Sequence, residues 1–379
     1  MSTIAATQSA EPLQSIDAAV KNYLDLTETP GVSVAVYYHP GFGPNGLVRA
    51  YGLARVDQGV PVKPETVFGL GSVTKVFTSI LLACAAEKGY VKLSDLVIDY
   101  LSAQYGVTGS DRFNSIQLLN LATHTSGMLM QAAAAGPGGK QLFRDEEPSG
   151  DMRHYWAHYS GPAVPACWQY SNTAFVTLGF AITAMYPGLA KNQYNKLLHD
   201  YVTGPLGMPH TGAIPDEALF ARGYVRHGDG RPERAQIVAA DLKSNGIDML
   251  QLMKAYFGVV PINDTLGKAL PLTIEPHGTY DICSSGGKTQ DGETEKKMTM
   301  GLAWQIYDRN GFKVCTKDGG TAGGGFTCDI QILPDAQIGV AVLTNQTWEK
   351  KDKGDLNPTG LATKILEILL PQIAPNQQS

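Results

Sequence analysis

Ser72-Val73-Thr74-Lys75 stands where a turn-prone Gly69-Leu70-Gly71-Ser72 run opens into a long apolar stretch. On a helix, Ser72 and Lys75 share one face a turn apart, so the amine reaches the hydroxyl. A serine hydroxyl is a weak nucleophile until a neighbouring base takes its proton, and a lysine helps only as the free amine. The positive end of the helix dipole, together with partial burial, disfavours the ammonium form. The same helix end favours negative charge developing on the serine oxygen. The chemistry these residues offer is nucleophilic acyl transfer. Alone, the four are equally an ordinary helix start.

Two further segments change that balance. Tyr170-Ser171-Asn172 follows about a hundred residues later, and Lys317-Asp318-Gly319-Gly320-Thr321 comes after an apolar run that reads as a strand. A serine, a polar triplet ending in Asn and a late Lys-x-Gly form the pattern of penicillin-binding proteins and serine β-lactamases. On these motifs the chain resembles the class C β-lactamase-related serine hydrolases, a group that includes carboxylesterases, D-amino acid peptidases and acyltransferases. Leu118-Leu119-Asn120-Leu121-Ala122-Thr123-His124-Thr125-Ser126-Gly127, Pro205-Leu206-Gly207-Met208 and Gly301-Leu302-Ala303-Trp304 fit as well, and the likeness runs from about Ile16 to Leu370.

The resemblance implies that Ser72 is the acylated nucleophile and Lys75 its proton acceptor or electrostatic partner. Tyr170 would be the general base and then protonate the leaving group, which a phenol of ordinary pKa near 10 does at neutral pH only if cations such as Lys75 and Lys317 lower it. The backbone N–H groups of Ser72 and Gly320 would form the oxyanion hole. Gln131, Asn172, Lys317, Asp318 and Thr321 would bind substrate, Asn172 also holding Lys75. No cofactor is implied. Competing readings are plain: Tyr170 as a half-buried core tyrosine, Asn172 as a helix N-cap, and His124 as a residue that orders a turn.

The chain also departs from the family pattern. Where β-lactamases of the group usually carry a hydroxyl residue between the Lys and Gly of the third motif, this sequence has Asp318, whose charge would repel a substrate carboxylate and partly cancel Lys317. Turned into the site, Asp318 favours neutral esters or amines over penicillins; it could instead turn outward or pair with Lys317. The stretch from Trp304 to Lys317 is short, and Pro165-Ala166-Cys167-Trp168-Gln169 departs from the more usual start before the tyrosine motif. Retaining Lys317, where esterases often have His or Trp, pulls back toward lactamases and peptidases. The expected function is hydrolysis of a β-lactam or a small ester or amide through an ester on Ser72. The alternatives are a carboxylesterase or acyltransferase and a non-turnover penicillin-binding receptor.

With 379 residues, 43% of them hydrophobic, the chain can bury a substantial core. A net charge of −5 gives no basic footprint for nucleic acid, and no apolar run reaches the eighteen or so residues of a membrane span. Five cysteines with no C-x-x-C spacing argue against a zinc site and a full disulfide framework. Buried thiols are expected, or one bridge between the strands holding Cys315 and Cys328. His154 and His158 are four apart but lack an acidic partner, so no metal is expected. Met1 to Pro12 lack the basic start and apolar core of a secretory signal. As written the protein would be cytoplasmic; it would be periplasmic or secreted had a signal peptide been removed. Its partners would be small-molecule substrates, with the protein a monomer or weak homo-oligomer.

The elements that must position these residues follow from periodicity. Ser15 to Leu26 reads as a helix, and Gly31 to Tyr38, Leu47 to Gly52, Lys313 to Thr316, Phe326 to Leu333 and Ile338 to Thr344 as strands, with a closing helix from about Gly360 to Leu369. The expected fold is α+β with two lobes. Residues 13–76 and 223–372 make a discontinuous lobe, whose antiparallel sheet of five or more strands is flanked by N- and C-terminal helices. Residues 77–222 make an inserted, mostly helical lobe, and 1–12 a flexible start. Gly286 to Lys297, polar and charged, reads as a surface loop near the cleft.

Overall fold

Every residue of Gly31–Tyr38 and of Ile338–Thr344 is buried, as befits strands covered on both faces. In the computed structural model the two runs pair antiparallel, Val32 opposite Thr344 and Tyr38 opposite Ile338. The two ends of the chain thus meet at the middle of one sheet. The structure describes residues 2–132, 147–188, 193–226, 232–234, 242–283, 296–321, 323–348 and 357–372.

The sheet has nine strands: β1 (Gly31–Tyr38), β2 (Leu47–Arg55), β3 (Val60–Pro61), β4 (Gly278–Asp281), β5 (Lys297–Met300), β6 (Gln305–Arg309), β7 (Phe312–Thr321), β8 (Phe326–Leu333) and β9 (Ile338–Thr344). Their order is β3-β2-β1-β9-β8-β7-β6-β5-β4, all neighbours antiparallel. All five expected strands are present. The other four escaped notice because they are short or half-exposed.

Eight helices of eight residues or more occur among the described residues: α1 (Ser2–Thr27), α2 (Thr74–Glu87), α3 (Val97–Tyr105), α4 (Gly150–Ala157), α5 (Asn172–Met185), α6 (Gly246–Tyr256), α7 (Asp264–Ile274) and α8 (Pro358–Leu369). Alternation along β1 divides the core. Val32, Val34 and Val36 join Val340 and Val342 beneath Ile16 and Val20 of α1 and Ile365 and Leu369 of α8. Ala35 and Tyr37 join Ala341 and Leu343 on the opposite face, with α2 and α6. No strand of two or more residues lies between 77 and 222 among the described residues.

Helix boundaries follow local chemistry. α8 begins before the expected Gly360 because Asn357 caps the N–H of Gly360 and Pro358 occupies the first turn. α1 starts well before Ser15. α2 is buried without a break from Thr74 to Ala85, the burial expected of a helix apolar on all sides, and it packs on α7 as well as on α5.

The alternative of a bridge between Cys315 and Cys328 is not what forms. Cys315 lies opposite Ile332 and Cys328 opposite Gly319, so the two thiols are out of register on adjacent strands. Cys315, Cys328 and Cys84 are buried thiols. The disulfide joins Cys167 to Cys283, whose Cα atoms are 5.1 Å apart, so Cys167 is not a reactive thiol. The Gly286 to Lys297 segment lies almost wholly outside the described residues.

Asp329 on β8 is buried, with Oδ2 accepting from Thr359 Oγ1 of α8 at 2.8 Å and Oδ1 unpaired among the described residues. Burial, aided by Asp318 across the ladder, pushes its carboxyl up to about 7. The folded pKa exceeds the unfolded value of about 3.9. The stability tied to its proton is therefore complete below pH 4 and lost as pH rises through 7. Asp329→Asn is expected to stabilise the protein at pH 8 by up to about 4 kcal/mol and to change little at pH 4. Melting curves at the two pH values check this; an equal gain at both would contradict it.

Candidate active site

Ser72 sits in a 3₁₀ turn, Gly71–Val73, that runs into α2. Bare backbone is what lets β7 lie against this turn. Gly71 has φ +49°, and a Cβ there would come within 2.5 Å of the Gly320 nitrogen; a Cβ on Gly319 would come within 2.1 Å of the Leu70 carbonyl oxygen. Glycine inside a strand marks such close approaches. The third motif is therefore part of the strand rather than the turn after it: β7 continues to Thr321, while its pairing with β6 ends at Thr316. The edge of Lys317–Thr321 on that side is left without a β6 partner.

The polar side chains form one chain of hydrogen bonds. Ser72 Oγ is 2.5 Å from the Tyr170 hydroxyl. Lys75 Nζ donates to Ser72 Oγ at 3.1 Å and to Asn172 Oδ1 at 2.8 Å, and Asn172 Nδ2 donates to Gln131 Oε1 at 3.2 Å. α2 supplies the lysine. α5 supplies Asn172 at its first turn, two residues after Tyr170.

Two lysine side chains flank the phenol. Lys75 Nζ lies 5.0 Å and Lys317 Nζ 5.3 Å from the centre of the Tyr170 ring. Burial pushes the phenol up, but Lys75 and Lys317 outweigh it against an opposing Asp318, and the net shift is downward. Burial is also the main cause of the lowered Lys75, with Lys317 acting in the same direction and Tyr170 and Asp318 opposing. Burial disfavours the charge of Lys317 too, yet Asp318, Tyr170 and Asp329 more than offset it and raise its pKa. Lys317 Nζ donates to Asp318 Oδ1 at 3.0 Å and to the Asp318 carbonyl at 2.9 Å. Lys317 is buried, whereas 66% of the Asp318 side chain is exposed.

Ser72, Lys75, Tyr170, Asn172 and Gln131 come together through these bonds, with Lys317 beside them and Asp318 paired to Lys317. Gly320 lies against Gly71, next to Ser72. Thr321 is not part of the cluster: its hydroxyl donates to the Phe326 carbonyl at 3.3 Å and accepts from the Phe326 N–H at 3.0 Å, closing the β7–β8 hairpin. Asn172 is not the N-cap either. Ser171 is, accepting from the Ala174 N–H at 2.9 Å while donating to the Leu129 carbonyl at 2.7 Å. His154 and His158 stack 4.0 Å apart, and no cluster of three or more metal-binding side chains surrounds them among the described residues.

Sequence reasoning missed how the Tyr170 segment is held. Trp168 N–H donates to the Asp281 carbonyl at 2.7 Å, Cys283 N–H to the Trp168 carbonyl at 3.0 Å, and the Cys167–Cys283 disulfide clamps the same contact. The sequence carries no spacing signal for that pairing. Gly71 and Gly319 were legible as glycines, but not as the contact that seats β7 on the turn carrying Ser72.

A serine touched by both an amine and a phenol, on a nine-stranded antiparallel sheet with a buried central helix, defines a serine hydrolase of the acyl-transferring kind. The Beta-lactamase family model matches residues 16–363, and the chain belongs to that family. It is 27% identical to a β-lactamase of Pseudomonas fluorescens over 90% of this chain and 95% of the relative. It is 26% identical to an unguisins hydrolase of Aspergillus campestris over 95% of this chain and 67% of that one. In structure it matches a class C β-lactamase from Rhodobacter sphaeroides with a TM-score of 0.72 at 22% identity, over 95% of this chain and 99% of the other.

Proposed function

We propose that this hydrolase acylates Ser72 with a β-lactam or a small ester or amide and releases the acid to water. The observation that carries the reading is Ser72 Oγ bonded at once to the Tyr170 hydroxyl and to Lys75 Nζ. Tyr170 as phenolate takes the Ser72 proton while Oγ attacks the carbonyl carbon. The oxyanion is held by the N–H groups of Ser72 and Gly320, and the tight seating of Gly71 on Gly320 supports that pairing. Collapse breaks the bond to the leaving group, which receives the proton from Tyr170. Water then gives a proton to Tyr170 and attacks the acyl ester, and Ser72 departs with that proton. Lys75 and Lys317 favour the phenolate form between these proton transfers. Asn172 and Gln131 line the acyl side. The test is a burst of coloured product from nitrocefin or a p-nitrophenyl ester at enzyme-level amounts; absence of acylation by either overturns the reading.

One observation favours the esterase and acyltransferase side. The ammonium of Lys317, otherwise the natural site for a substrate carboxylate, is already paired with Asp318, so a second anion meets repulsion at the same point. Asp318→Thr is expected to raise kcat/KM for an anionic β-lactam about tenfold relative to a neutral ester. Side-by-side rates check it, and an unchanged ratio contradicts it.

No described helix is long and apolar enough to cross a membrane. The Cys167–Cys283 disulfide supports an oxidising compartment as the place of work.

A further inference from the structure

His124 lies outside the hydrogen-bond chain of the site, yet it grips the segment that carries the phenol. Its carbonyl accepts the Gln169 N–H at 2.9 Å and its Nδ1 accepts the Ser171 N–H at 3.1 Å. Its ring lies 4.5 Å from the Tyr170 ring, tilted by 36°, and 5.0 Å from Phe175. The residues before and after Tyr170 thus hang on one residue, with the aromatic ring between them resting on its imidazole. His124 itself holds a left-handed backbone, φ +59°.

Packing alone does not call for a histidine here. Because Nδ1 accepts, the ring proton sits on Nε2, and Nε2 is buried without a partner among the described residues. An apolar side chain would avoid that penalty but could not accept from Ser171. A charged imidazole could not accept either, and it would add a third cation beside Lys75 of α2 and Lys317 of β7. Burial first, then those two cations, keeps the ring neutral. Tyr170 itself lies against the ring, and Lys317 is paired with Asp318.

We propose that His124 is a positioning residue for Tyr170, a neutral acceptor that clamps Gln169–Ser171 so that the phenol stays between the Lys75 and Lys317 ammonium groups. The proposal rests on Tyr170 being the proton carrier. It extends that reading by assigning the phenol's placement to a side chain that touches neither nucleophile nor substrate. If the clamp loosens, the ring drifts from both cations and its acidity weakens toward that of free tyrosine.

The test compares His124→Leu, which lacks the acceptor, with His124→Asn, whose amide oxygen can take the place of Nδ1. The readout is the pH profile of kcat/KM with KM followed separately. His124→Leu is expected to move the acidic limb upward by about one pH unit and to lower kcat about tenfold or more at pH 7, with KM within about twofold. His124→Asn is expected to return the limb to within about 0.3 pH units of the parent enzyme. A limb that stays in place in both variants, or shifts equally in both, overturns the proposal. Should His124→Leu not fold, His124→Gln replaces it, since its acceptor is one methylene out of place and the same split from His124→Asn is expected. Tyr170→Phe separates the two ideas. If it abolishes the limb while the acceptor-deficient variant leaves the limb unmoved, only the role of His124 fails; if the limb survives Tyr170→Phe, both fail.

Discussion

Ser72→Ala is expected to lower kcat on a p-nitrophenyl ester or nitrocefin by at least about 10⁴-fold, and to abolish any covalent adduct. The size follows from what is lost. The amine, the phenol and the backbone donors remain, but they act on an oxygen that is gone, and the acyl-enzyme route closes altogether. Folding should be little affected, because Ser72 is only half-buried at the mouth of a turn whose packing is made by Gly71 and Val73. Mass spectrometry of the variant incubated with substrate, set beside its melting temperature, is the check. A variant that folds and still acquires the acyl group would place the nucleophile elsewhere.

Tyr170→Phe is the second large effect, an expected loss of about 10² to 10⁴-fold in kcat, with a distinctive pH signature. The phenol is lowered because Lys75 and Lys317 together overcome its burial. In the proposed mechanism the base form is the phenolate, so activity is expected to fall as pH drops through that lowered pKa and to be full above it. Tyr170→Phe removes the group and should flatten the acidic limb while leaving a small pH-independent residue of activity from the oxyanion donors. A steady-state profile from pH 5 to 9 resolves the difference; an unchanged limb would assign the proton to another group, with Lys75 the first candidate. Removing the hydroxyl also leaves Lys75 bound to Asn172 and Ser72, so the loss should appear mainly in kcat rather than in KM.

Much of the site was legible because its parts are local. Ser72 and Lys75 are one helical turn apart, and any helix starting there brings amine to hydroxyl. Asn172 was read as polar and near the start of a helix, but its neighbour Ser171 does the capping, since the N-cap side chain must point back at the first turn's N–H groups. The strand was ended at Thr316, although Lys317 to Thr321 continue it and the Thr321 hydroxyl is engaged with Phe326. A run containing two glycines does not look like a strand until the Leu70–Gly71 backbone is seen pressed against it. His124, read as a turn residue, does order a turn, but its ring accepts from a residue 47 positions away.

The sequence by itself determined the three motifs and the five strands whose apolar runs repeat with the period of a sheet, because each depends on neighbours a few residues apart, and the resemblance carried by the motifs together implied the kind of chemistry. Only the tertiary structure decided that Cys167 pairs with Cys283, that Asp318 is spent on Lys317, and that His124 backs the tyrosine. Those outcomes turn on register and direction between segments far apart in the chain, and a shift of one residue along a strand reverses the face on which every side chain lies.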